Sequence, residues 1–247
     1  MIDSIFDDVI QTQFQVNMGE VYTALPCVVL NVHGKFFEQR VDVRPSINDL
    51  YKDNTSKEQA PILSVPVLLP GTRNSLVSFP INVGDTVMCI FSQRSMDNFK
   101  IGNGQPTTPN DLRKFSDQDA VAIPGLVPFS RSVNNPATRK FQHNPSQDLV
   151  IAHNIGSGSE VMLQMKPNGD MVVNTDSGVT VNAKTATINA EHNVTVTAQT
   201  GTFSVGSGSW TGDMSISGVW TFNGIPFNTH KHTGVTTGAG TSGTPVS

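Results

Sequence analysis

The sequence predicts an all-β protein: an N-terminal OB-fold barrel followed by an intertwined trimeric (triple-stranded) β-helix. Three observations carry this. Strand signals recur at short intervals between Val21 and Phe91. Composition changes sharply near Asp148, from mixed charges and prolines to Val, Thr, Ser, Asn, Ala and Gly. Beyond Glu191 the only charged residues are Asp213 and Lys231, and Lys231 sits between His230 and His232 in a Gly- and Thr-rich tail.

The first twenty residues form an N-terminal segment (1–20) in which Ile5 to Val9 suits a short amphipathic helix. From 21 to 104 the pattern is that of the barrel. Tyr22 to Val32 is apolar and β-branched and stops at a turn around His33-Gly34-Lys35. Phe36 to Val43 alternates partly and ends before Pro45. The polar stretch Asn48 to Gln59 is expected to be a loop with one helical turn. Ile62 to Leu69 is extended, with Pro66 favouring an edge or a bulge. Leu76 to Phe79 is expected as a short strand, and Val83-Gly84-Asp85 turns the chain into the buried strand Thr86 to Phe91. Short strands at this spacing, with one polar excursion, fit a small closed Greek-key barrel.

Residues 105–148 read as a linker. Asn110 to Asp119 suits a short helix, Ala120 to Pro128 is apolar and extended, and Arg131 to Asn144 is polar and irregular. From 149 to 227, Val150–Ala152, Val161–Met165, Met171–Val173, Val179–Val181, Thr185–Ala190, Val194–Ala198 and Thr202–Val205 read as successive strands, separated by turns at Gly156-Ser157-Gly158, Pro167-Asn168-Gly169 and Ser177-Gly178. Each has one narrow apolar face, such as Val179, Val181 and Ala183, against Thr, Asn and Lys on the other. Between Met171 and Ala198 there is no aromatic residue and no Leu. At about 25 cal/mol per Å² of apolar area, such faces do not offset the ordering entropy of an isolated sheet. Three chains wound about one axis solve the problem by meeting in a narrow core and pairing their edges. A single-chain parallel β-helix would need a regular rung length and stacked larger residues.

His230 and His232 lie two apart, so an extended backbone points both imidazoles to one side. Two are too few for one metal ion, whereas three chains on an axis supply an octahedral set with no position open for chemistry. Residues 228–247 therefore read as a metal-pinned tip. An isolated HxH pair often matches by accident, and here position and context support it. His33, His143, His153 and His192 are isolated in sequence and read as surface or linker histidines. Trp210, Trp220, Phe222 and Phe227 read as packing where a prism narrows to a point.

The net charge of −4 argues against a broad grip on nucleic acid. Cys27 and Cys89 match no metal or redox spacing and read as buried thiols. The start, MIDSIFDDVIQTQF, carries acids where a secretory signal has basic residues, so synthesis in the cytoplasm is expected. Asp7 and Asp8, and Asp117 and Asp119, read as solvated loop charges rather than a catalytic pair, and no acid/base constellation argues for an enzyme.

Three runs carry a family resemblance: Ala60-Pro-Ile-Leu-Ser-Val-Pro-Val-Leu-Leu-Pro70 with Leu76-Val-Ser-Phe-Pro-Ile-Asn-Val-Gly-Asp-Thr-Val-Met-Cys-Ile-Phe91; Asp119-Ala-Val-Ala-Ile-Pro-Gly-Leu-Val-Pro128; and Thr229-His-Lys-His-Thr-Gly followed by Gly238-Ala-Gly and Thr244-Pro245. Over almost the whole chain the pattern resembles the central spike, or membrane-piercing needle, of contractile-tailed bacteriophages. The resemblance implies an OB barrel near the base, a triple-stranded β-helix, and a tip where His230 and His232 of three chains bind one structural iron ion. It also implies a homotrimer, a baseplate hub protein of the tail as partner, the host outer membrane as target, and a place at the virion's tail tip. Larger relatives carry an inserted lysozyme domain, for which barrel, linker and needle leave no room here. The rivals are a receptor-binding or polysaccharide-degrading tailspike, and the equivalent spike of a bacterial secretion system.

Overall fold

The computed structural model describes residues 2–19, 21–226 and 238. The described chain is mostly β with few helices, in two units, Met1–Val181 and Asn182–Ser247.

The first unit begins with α1 (Ile2–Gly19), longer than the short helix expected over Ile5 to Val9. No proline or glycine interrupts the segment before Gly19, so nothing stops the helix earlier. β1 (Ala24–Val32) and β2 (Arg40–Pro45) follow, then the two-residue strands β3 (Asp49–Leu50) and β4 (Ser56–Lys57), β5 (Ile62–Pro66) and β6 (Thr86–Phe91). After a short helix α2 (Asp97–Ile101) comes β7 (Ala120–Pro124). The five longer strands form one antiparallel sheet in the order β5-β2-β1-β6-β7. It curls into a partial barrel, and its edges meet where the Leu68 N–H donates to the Ala122 carbonyl at 2.9 Å. Alternate residues enter the core: Cys27 and Val29 from β1, Val41 and Val43 from β2, Val87, Cys89 and Phe91 from β6, and Ala120 and Ala122 from β7. Cys27 and Cys89 are buried free thiols, as expected. A hydrogen bond with Cys27 and burial push the Cys89 thiol far above its usual range, so it stays protonated at neutral pH.

Four local expectations are corrected. β2 starts at Arg40, not Phe36, because Gly34, Lys35, Phe36 and Gln39 all take positive φ in a tight turn. The polar excursion holds the β3–β4 hairpin rather than a helical turn. Its bend is closed by the Asp53 carboxylate, which accepts from the Thr55 N–H at 3.0 Å and hydroxyl at 2.6 Å. Leu76 to Phe79 forms only a bridge at Leu76, and Leu76 and Val77 face solvent. Asn110 to Asp119 keeps one 3-10 turn, Asp117–Asp119; Asp111 instead bonds the Arg113 N–H at 3.1 Å, a local turn that competes with a helix.

β8 (Leu149–His153), β9 (Val161–Met165) and β10 (Met171–Thr175) make an antiparallel meander where the sequence places its first three distal strands. Gly169, at φ 90°, turns β9 into β10. Beyond it the expected strands Val179–Val181, Thr185–Ala190, Val194–Ala198 and Thr202–Val205 have no ladder partner among the described residues. Every residue from 176 to 225 is exposed. A strand is defined by a hydrogen-bonded neighbour, and one copy supplies none here.

In the second unit a small hairpin joins β11 (Thr221–Phe222) to β12 (Ile225–Pro226). Asn223 (φ 48°) and Gly224 (φ 80°) form its bend, the positive-φ pair that two-residue hairpin turns require. The Asn-Gly pair was a readable signal for this hairpin, although strand periodicity alone did not place it.

Candidate functional site

The most unusual surface is one face of the β8–β9–β10 sheet. Leu149 and Met171 both lie opposite Met165, while Ile151 and Val173 both lie opposite Leu163. Residues directly opposite in a ladder share a face, so these six apolar side chains form a single patch. Leu149 is 61% exposed, Ile151 62%, Met171 69% and Val173 55%. The other face is closed: Met162 is 0% exposed and Gln164 5%. Further along the sequence Val179, Val181, Ile188, Val194, Val196, Phe203 and Val205 are also exposed.

Linker residues hold the closed face. Glu160 is buried, and its carboxylate accepts from Arg139 Nε at 2.6 Å, the Lys140 N–H at 2.9 Å and the Gly156 N–H at 3.3 Å. Burial opposes its ionisation, but these donors outweigh burial and hold its pKa below the usual carboxylate range. Gln164 Nε2 donates to Asp148 at 2.6 Å. Lys140 also pairs with Asp176. These contacts tie the linker to the closed side of the sheet, opposite its apolar face.

On the barrel, Arg113 gathers three carboxylates: Asp97 at 2.8 Å, Asp111 at 2.8 Å and Asp119 at 2.8 Å. Asp119 is 0% exposed and also accepts the Met96 N–H at 2.8 Å. It is therefore a buried clamp and not the solvated loop charge expected. Burial opposes its ionisation, and the Arg113 and Met96 donors overcome this to hold its pKa low. The Asp119-Ala-Val-Ala-Ile-Pro-Gly run thus has a structural reading. Asp119 locks the loop, Ala120 and Ala122 are small enough to lie against the core, and Gly125 turns the chain at φ 102°. Gly84, at φ 91°, does the same for the Val-Gly-Asp run, with Asp85 accepting the Asn82 N–H at 2.7 Å.

Two histidines are less isolated than expected. His33 Nε2 meets Asp42 at 2.7 Å, and His143 is buried in the linker with Nε2 3.1 Å from Asn134 Oδ1. Trp210, Trp220 and Phe222 are exposed in the single chain. Phe227, His230 and His232 lie outside the described residues, so the expected tip is not placed. Among the described residues no group of three His, Cys, Asp or Glu could hold a metal ion. A hollow of about 400 Å³ between Phe79–Ile81 and Pro124–Pro128 is lined chiefly by Pro, Val and Ile, with Asp85 already bound to the Asn82 N–H. No helix among the described residues is long and apolar enough to cross a membrane.

Two family models match, at opposite ends. Residues 25–125, the curled sheet from β1 to Gly125, match the phage protein Gp138 N-terminal domain. Residues 224–246, from the β11–β12 turn across His230 and His232, match the GpV apex motif. It is a phage spike protein. The spike pairs an N-terminal domain of one family with the apex motif of another, and both families are structural spike proteins. Such a spike belongs to the virion. No curated protein matches its sequence.

Proposed function

We propose that this spike is the homotrimeric, cell-puncturing point of a tail baseplate, acting mechanically and not as an enzyme, and breaching the host outer membrane on tail contraction. The observation that carries the reading is the open apolar face of β8–β9–β10, continued by a run in which every residue from 176 to 225 is exposed. Full burial of a Val, Leu, Ile or Met side chain contributes about 1.5–3 kcal/mol. Two further copies turning the same faces inward supply that burial and give the unpaired strands their ladders, as a triple-stranded β-helix does.

In this reading residues 21–125, which include β7, form the barrel that seats on a baseplate hub protein, 126–148 the linker, 149–227 the needle and 228–247 the tip. The donor chemistry of the tip suits one structural iron. Each chain offers the two imidazoles of His230 and His232, and three chains complete an octahedron. The match of the apex motif across both histidines supports the assignment. Closed backbone hydrogen bonding and a distal surface of Thr, Ser, Asn and Gly suit passage through a bilayer, where unpaired polar groups and charges are costly.

The test is light scattering combined with elemental mass spectrometry on purified, untagged full chain. The expected result is a trimer with about one iron per three chains. A monomer in solution would overturn the reading, and a trimer without metal would remove the iron from it.

A further inference from the structure

We propose that His153 is a metal ligand, and that its three copies on the trimer axis hold one zinc ion where the meander passes into the distal run. The site rests on the three-chain reading of the β8–β9–β10 face and is separate from the iron of the tip.

His153 ends β8, two residues beyond Ile151, so both side chains leave the sheet on the same open face. The register agrees, because His153 and Thr175 both lie opposite Val161. The face thus has three rows. Those of Leu163 and Met165 are wholly apolar, and the row of Val161 carries the imidazole. His153 is exposed, and no hydrogen bond or ion pair among the described residues engages it. His33 and His143, by contrast, already meet Asp42 and Asn134. Turning the open face inward would bury an imidazole with no partner of its own chain, which is costly. A three-fold axis sets each inward residue level with its two copies, so three His153 rings share one height.

Charge and symmetry select the ligand. No Asp, Glu, Lys or Arg lies on this face, so nothing there would neutralise three imidazolium rings brought together. Thr175 is the other polar residue of the row, and its hydroxyl oxygen accepts the Ser177 N–H at 3.1 Å. Neutral imidazoles present nitrogen lone pairs, and a cation satisfies three of them at once. Three nitrogens related by a three-fold axis leave the fourth tetrahedral position on the axis itself, open to a water or a small anion. Zinc accepts that arrangement of three imidazoles and one further ligand. Six imidazoles in an octahedron are a different donor set. Thr175 directly precedes the exposed run from 176, so the ion would fix the three chains relative to one another where that run begins.

The experiment equilibrates full-length protein with zinc and removes free metal by gel filtration. Zinc is then counted by elemental mass spectrometry, and mass is measured by light scattering. Wild type is compared with His153→Gln, which keeps a polar side chain, and with His153→Leu, which suits an apolar face. The set is repeated in the His230→Ala/His232→Ala background to separate this site from the tip. The expected result in both backgrounds is a trimer whose zinc content falls by about one ion per three chains in either His153 variant. Cobalt in place of zinc should show the strong visible absorption of a tetrahedral ion, and this too should vanish with His153. A trimer whose zinc content ignores both substitutions would overturn the site and leave the three-chain reading intact. One zinc per chain, lost in the variants, would overturn the placement on the axis. Single chains in solution would overturn both the trimer and the site.

Discussion

Arg113 and Asp119 are joined by two hydrogen bonds, Nε to Oδ2 at 2.8 Å and Nη2 to Oδ1 at 3.0 Å, with the carboxylate fully buried. The pair fixes the loop that delivers β7 to the barrel edge, because Asp119 also holds the Met96 N–H and directly precedes Ala120. Asp119→Ala would leave the Met96 donor and one side of Arg113 without their acceptor. Breaking a buried pair from one side costs about 3–5 kcal/mol. The expected outcome is a matching loss of barrel stability in chemical denaturation, with Arg113→Lys recovering only part of it because Lys lacks the two-pronged geometry.

Acid should destabilise the protein through the same class of group. Asp42, Asp119, Asp148 and Glu160 all have folded-state pKa values held below their ordinary range. For Asp42, burial opposes ionisation but is outweighed by His33, the Ser64 N–H and Asn31; for Asp148, the Asn144 N–H and Gln164 lower the value directly. A lowered folded pKa means that the unfolded chain binds more protons as pH falls. The stabilisation is therefore complete above about pH 4–5, the upper edge of unfolded carboxylate titration, and is lost as pH drops through the folded values. Denaturation midpoints measured from neutral to acid pH should fall only in that window, and Glu160→Gln should flatten the acid limb.

The two faces of the distal meander should respond differently to substitution. Met162→Ala removes a fully buried side chain and is expected to cost about 2–5 kcal/mol within each chain. Leu149→Ser combined with Ile151→Ser alters only the open face. It should leave the barrel's unfolding unchanged while shifting the oligomer toward single chains in light scattering.

Replacing His230 and His232 together with Ala is expected to abolish bound iron, read by elemental mass spectrometry, and to leave a folded trimer. Loss of the trimer would mean that the tip contributes more to assembly than two imidazoles per chain suggest.

The sequence by itself determined where β1, β5, β6 and β7 lie, the first three distal strands and the histidine pair. These depend on local pattern: alternation of Val, Cys and Phe in β1 and β6, Gly at forced positive φ, and fixed spacing at the terminus. Only the tertiary structure decided that Asp119 and Glu160 are buried, since their partners Arg113, Arg139 and the Met96, Lys140 and Gly156 amides are assembled by folding. The same holds for the single apolar face of β8–β9–β10, which arises from register, a relation between strands. The distal run from 176 onward marks the limit of both. Its alternation is legible residue by residue, but among the described residues it has neither a hydrogen-bonded ladder nor a core, because a strand needs a paired neighbour for both.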